Sequence, residues 1–148
     1  VRDRGQIGSW ISHIYVDNLD SVAGGREIWG LPKEMAEFTW ENNSVTVCQQ
    51  NRTLCRLNYQ DHLLSLLHLS QQLSANSFSG LNSELLLFKS SFQAKINSIS
   101  AKLEIPLGSP FVNLNLKQPF LSLNLKELNL VVDRPEVVGE KQQDLVTN

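Results

Sequence analysis

The chain has little cysteine, little histidine and no clustered charge, and each shortage removes a class of function. Its 148 residues include two cysteines and three histidines. Cys48 and Cys55 flank one tight turn, and a single pair makes neither a disulfide framework nor a four-ligand metal site, so both are expected as reduced thiols on hairpin strands. His13, His62 and His68 lack acidic partners at ligand spacing, and no metal or other cofactor is expected. The formal net charge is -2, with no basic cluster, which removes the footprint expected of a nucleic-acid binder. No apolar run approaches the roughly 20 residues that a membrane-crossing helix needs, and the N-terminus has no charged-then-apolar leader pattern. No membrane partner and a cytoplasmic location follow as expectations. Asn42-Asn43-Ser44 and Asn51-Arg52-Thr53 fit the glycosylation sequon, a match too short to carry weight alone.

What is present is enough apolar sequence for one core, 41% of residues, and the chain is expected to form a single domain over 1–148. Gly8 to Asp17 alternates with apolar residues on both faces, which predicts an interior strand. Asp17, Asn18 and Asp20 offer N-cap oxygens to a short helix over about Leu19 to Ile28. Two turn clusters, at Asn42-Asn43-Ser44 and Asn51-Arg52, separate alternating segments and predict a three-stranded antiparallel meander ending at Tyr59. Asp61 to Leu73 carries leucines at helical spacing, and Ser70 to Ser83 reads as an exposed polar connection. From Glu84 onward the texture is β, with Val112 to Leu116 among the short alternating strands. The side-chain phase changes near Ser98 and near Lys126-Glu127, which predicts irregular pairing at both points. The expected class is mainly β, an antiparallel barrel or strongly bent sheet with one short helix.

The densest constraint lies in the run from Gly24 to Glu34. Three glycines permit close backbone approach, and Pro32 fixes its own φ and biases Leu31 towards an extended conformation. Lys33 is thereby held just beyond a rigid turn, beside Leu31, Pro32 and Met35. Gly24 and Gly25 each cost a helix about 1 kcal/mol relative to alanine, so something is expected to pack tightly against them.

These residues resemble the acetoacetate decarboxylase family, whose signature is Gly-Arg-Glu, a few residues, then Pro-Lys-Lys, after a strand ending in a Tyr-x-Asp-like element. The matching residues are Ile14-Tyr15-Val16-Asp17-Asn18, Gly25-Arg26-Glu27 and Pro32-Lys33. The resemblance runs from about Ser9 to about Val138 and is specific from Ile14 to Phe38. It departs at Glu34, where the family has a second lysine. It implies a closed barrel, a homo-oligomer, a small keto-acid substrate, and a Schiff-base lysine at Lys33. It also implies that the chain is the C-terminal portion of a larger barrel, and the opening Val1-Arg2-Asp3, without methionine, reads as part of something longer.

An imine-forming lysine must attack as the neutral amine, so its ammonium has to be disfavoured by burial or by a neighbouring cation. Arg26 is the candidate cation, either for that purpose or to grip a substrate carboxylate with its planar fork. Glu27 is a candidate proton carrier or a structural partner of Arg26, and Trp29 a wall of the pocket or a packing residue. Glu34 would oppose imine formation if it faced Lys33, but adjacent strand residues point to opposite faces. The expected activity is decarboxylation of acetoacetate or a related keto acid. The alternative is a non-decarboxylating relative, aldolase-like or dehydratase-like, or a binder of apolar ligands.

Overall fold

The structure, a computed structural model, describes residues 2–3, 5–61 and 69–140. The chain divides into two units, one of Val1–Glu34, Gln72–Phe92 and Leu130–Asn148, the other of Met35–Gln71 and Gln93–Asn129. Among the described residues there is one α-helix, Leu19–Trp29, and most of the remainder is strand. The expected class, mainly β with a short helix ahead of Lys33, is the one the chain adopts.

In the first unit the helix starts at Asn18, whose extended backbone (φ -133°, ψ 120°) turns its side chain onto the first turn. Its Oδ1 accepts from the Ser21 amide at 2.8 Å, which satisfies one of the amide groups that a helix start leaves without an intrahelical partner. The helix ends at Gly30, left-handed with φ 57° and ψ 27°, the conformation a C-terminal glycine cap takes. The predicted helix thus gains one residue at its end.

The strand predicted over Gly8 to Asp17 is instead two short ones. Ser9–Trp10 runs parallel to Ser77–Phe78, while Ile14–Val16 pairs with Lys33–Met35. Apolar residues on both faces had suggested one interior ladder; the two halves have different partners, and the chain between them leaves both. The parallel pair also departs from an all-antiparallel arrangement. Leu69–Leu81 is a 13-residue strand, which corrects two expectations. The helix predicted from Asp61 lies in part outside the described residues, at 62–68, and its end from Leu69 is extended. The stretch expected as an exposed connection buries Ser77, Phe78 and Ser79, with Phe78 fully enclosed. Small hydroxyl side chains hid this burial, because a serine that bonds a buried carbonyl has the same composition signature as one in water.

The second unit holds the meander. Glu37–Glu41 pairs with Ser44–Gln49, from Glu37 opposite Cys48 to Glu41 opposite Ser44. Ser44–Gln49 then pairs with Arg52–Asp61 across Gln50 and Asn51, whose φ values of 50° and 60° are of the sign that a two-residue type I′ hairpin turn requires at both positions. The register shifts between Val47 and Cys48, so Cys55 faces Val47 while Cys48 faces Thr53. Both thiols are free. Burial pushes the Cys55 thiol above its ordinary pKa, and Cys48 adds to the rise. The folded state therefore holds that proton more tightly than the unfolded chain, and stability declines as pH climbs through and beyond the ordinary thiol range. Iodoacetamide is expected to label Cys55 slowly at neutral pH in the folded protein and at ordinary rates after denaturation, as peptide mass mapping would record.

The strand Glu84–Glu104 contributes Leu86, Leu87 and Phe88 to the first unit's core, and its segment Ile99–Glu104 pairs with Arg56–Asp61 in the second. Burial along it follows Ala94 and then moves to Asn97, Ile99, Ala101 and Leu103, while Ser98, Ser100 and Lys102 are exposed. The change of burial phase lies near Ser98, but the pairing with Arg56–Asp61 from Ile99 onward is regular, and the register shift on this strand lies at Leu85–Leu86 in its pairing with Glu136–Glu140. At the other predicted point Glu127 sits at φ 53°, a left-handed residue within the continuous strand Ser122–Val132. Val112 to Leu116, predicted as a strand, is largely the 3₁₀ helix Pro110–Leu114. Ser109 Oγ accepts from the Phe111 amide at 3.1 Å, and Pro110 occupies the first helical position, where its missing N–H costs nothing.

Candidate active site around Lys33

Lys33 follows the helix by a turn built almost wholly from backbone groups. The Gly25 carbonyl accepts from the Gly30 cap amide and from Leu31 N at 2.9 Å. Lys33 N then reaches back to the Leu31 carbonyl at 2.8 Å, closing a three-residue turn about Pro32 with the i to i+2 hydrogen bond of a γ-turn. Leu31 is buried and anchors the turn, while Pro32 is exposed.

The turn sits against the strand Leu69–Leu81. Ser79 Oγ, almost fully buried, donates to the Trp29 carbonyl, one of the acceptors left without an intrahelical partner at a helix end. A Cβ at Gly30 would lie 2.6 Å from the Gly80 carbonyl oxygen, so helix end and strand meet with no side chain between them. Trp29 is half-buried, and its indole Nε1 donates to the Asp133 carbonyl at 3.0 Å. Replacing Ser79 with alanine leaves the Trp29 carbonyl without its donor and is expected to cost about 1–3 kcal/mol in urea unfolding.

Lys33 itself is half-buried. Its side chain lies over the helix: a Cβ on Gly25 would fall 2.8 Å from Lys33 Cε and 3.1 Å from Cγ, with Cδ nearer still. The amine Nζ donates to Ser21 Oγ at 2.9 Å. The tight packing expected at the helix glycines is met at Gly25, where its cause is the lysine stem, and not at Gly24, where an added Cβ would meet open space. Arg26 is exposed and donates from Nε to the Lys33 carbonyl at 2.6 Å. Among the described residues that is its one side-chain hydrogen bond, and it makes no ion pair with the exposed Glu27. Glu34 is exposed and comes next on the strand after Lys33.

A cleft of about 430 Å³ lies beside the turn, lined by Trp10, Ile11, Arg26, Leu31, Ser79 and Gly80 among others, a size within the usual range for small-molecule sites. Of the residues the sequence proposed for the site, Arg26 lines this cleft, while Lys33 and Trp29 lie in the same helix–turn–strand unit outside its lining. The structure leaves Glu27 apart. Ser21, Ser79 and Gly80 were not foreseen; the signal available was only a capped helix start and glycine where none was needed for helicity. Among the described residues no group of three His, Cys, Asp or Glu side chains could hold a metal ion, and no helix is long and apolar enough to cross a membrane.

The family model for acetoacetate decarboxylase (ADC) matches residues 1–91. The chain belongs to the acetoacetate decarboxylase family. It is 44% identical over 36 residues to acetoacetate decarboxylase 3 of Mesorhizobium japonicum, a stretch covering 24% of this chain and 14% of that protein. To the acetoacetate decarboxylase of Burkholderia vietnamiensis it is 41% identical over 44 residues, covering 30% of this chain and 18% of the relative. The crystal structure of acetoacetate decarboxylase from Legionella pneumophila matches with a TM-score of 0.66 at 18% identity, covering 94% of this chain and 63% of that one. A second acetoacetate decarboxylase structure matches with a TM-score of 0.66 at 14% identity, covering 95% and 66%. At such identities the likeness is one of fold.

These matches correct the expectation that the chain corresponds to a C-terminal portion of the family. The family match begins at residue 1 and lies over the first 91 residues, where the helix, the lysine turn and the meander carry specific residues. Beyond it lie leucine-rich strands whose alternation many sheets share, so the likeness there is carried by backbone geometry.

Proposed function

We propose that this chain belongs to a Schiff-base lyase that decarboxylates acetoacetate or a related small keto acid through Lys33. The observation that carries the reading is the placement of Lys33: in the family's Pro-Lys position, with its backbone gripped by Arg26 and its amine held on Ser21. In this reading Nζ adds to the ketone carbon and water leaves, giving a protonated imine. The bond to the carboxylate then breaks, its electron pair moves into the imine to form an enamine, and carbon dioxide departs. Protonation at carbon and hydrolysis return the free amine and the shortened ketone. Arg26, at the cleft and with its terminal amino groups without a partner among the described residues, suits a substrate carboxylate. The functional form is taken to be a homo-oligomer, which light scattering on the eluting protein would measure.

Glu34 and the second unit favour the alternative. The family's second lysine is absent, and an apolar cleft of about 330 Å³ lined by Trp40, Val45, Leu57, Tyr59, Ile99 and leucines of the strand Ser122–Val132 suits an apolar ligand. Incubation with acetoacetate and borohydride separates the readings. Carbon dioxide release with a reduced adduct at Lys33 supports decarboxylation, whereas an adduct without release supports the non-decarboxylating enzyme. No adduct and no release would remove lysine chemistry altogether.

A further inference from the structure

We propose that Ser21 is a positioning residue for the Lys33 amine and that Gly25 is the gap in the helix surface that lets the lysine reach it. The proposal rests on the reading of Lys33 as the imine-forming residue. A free lysine side chain samples many rotamers around a flexible four-carbon stem. Here three contacts from one helix fix it along its length: Arg26 holds the Lys33 carbonyl at 2.6 Å, the Gly25 surface receives Cγ, Cδ and Cε, and Ser21 Oγ takes Nζ at 2.9 Å. The residues stand at i, i+4 and i+5, so Ser21 and Gly25 share one helix face. Ser21 is itself held, because its amide donates to the Asn18 cap at 2.8 Å. Ordering of the nucleophile is thus completed on folding and adds nothing to the barrier of the reacting complex.

The seat also accounts for a sequence feature that the chemistry alone leaves open. The glycine of Gly25-Arg26-Glu27 contributes no functional group, and a helix interior disfavours it. Any side chain there would occupy the space of the Lys33 stem and force the amine off Ser21. Arg26 and Gly25 therefore act on the same residue, one on its backbone and one on its side chain.

The test uses pyridoxal 5′-phosphate as a carbonyl probe, following imine formation by absorbance and locating the borohydride-reduced adduct by peptide mapping. Acetoacetate turnover is measured in parallel. Relative to the parent protein, Ser21→Ala is expected to slow imine formation at Lys33 by about tenfold, the effect of one hydrogen bond of ordinary net strength. Its kcat should fall by a similar factor with little change in KM, and Ser21→Thr, which keeps the hydroxyl, should restore most of both. Gly25→Ala should slow the same step without touching the hydroxyl, and it serves as the second variant should Ser21→Ala fold poorly. A merely structural Ser21 would instead lower the unfolding midpoint and leave the imine rate of the folded protein unchanged, which overturns the proposal while the lysine reading stands. A parent protein that forms no adduct at Lys33 overturns both.

Discussion

Lys33→Arg is expected to abolish both imine trapping and keto-acid turnover while leaving the fold in place. Arginine keeps the positive charge and a similar length but stays protonated, so it cannot supply the neutral amine that adds to a ketone. The expected loss in kcat is at least about a thousandfold, on the scale seen when an enzyme's nucleophile is removed. Turnover is measured as carbon dioxide release from acetoacetate, and folding by urea unfolding. Residual release within about tenfold of the parent would mean that the chemistry resides elsewhere. The long side chain must still lie along Gly25, so little change in stability is expected.

Gly30→Ala is expected to produce the largest loss of stability of the substitutions considered. Two costs add at this position. A residue with a Cβ pays about 1–2 kcal/mol to occupy the left-handed region, where Gly30 sits at φ 57°. The added methyl group also meets the Gly80 carbonyl oxygen at 2.6 Å, and a backbone atom in a strand yields less readily than a side chain. Together they are expected to cost about 2–4 kcal/mol in urea unfolding. Because the same residue caps the helix through Gly25, the displacement should reach Lys33, and imine formation should slow further than the loss of folded protein explains. A variant as stable as the parent would mean that helix end and strand part easily and that the turn is no rigid mount.

The helix and the meander were legible in the sequence because their signals are local. Asn18 before an apolar periodic run, Gly30 before Pro32, and Asn at two turn tips each describe conformations fixed within a few residues. The strand Leu69–Leu81 was not legible, because what decides it is distant. Ser79 is buried by a bond to Trp29, fifty positions away, and composition does not distinguish that serine from a solvated one. Residues 9–16 failed for a related reason, since period-two alternation records which way side chains face and says nothing of which strand they pair with. At the candidate site, the titratable groups were found and their holders were not. Lys33 and Arg26 stand out by type, whereas Ser21 matters only by position on a helix face, and Gly25 is anomalous inside a helix without its sequence saying what packs on it.

The turn between helix and strand has a further consequence, for the lengths of chain that this site can tolerate. Surface connections usually accept insertions and deletions freely. The one from Gly30 to Lys33 has no slack: Gly25 O is shared by the amides of Gly30 and Leu31, and Lys33 N closes directly onto Leu31 O. One residue added before the strand would advance its alternation by one step, carrying the lysine side chain to the face now taken by Glu34 and away from Ser21. Lineages descended from this chain should therefore vary in residue type around Pro32 far more readily than in the count of residues separating Gly25 from Lys33.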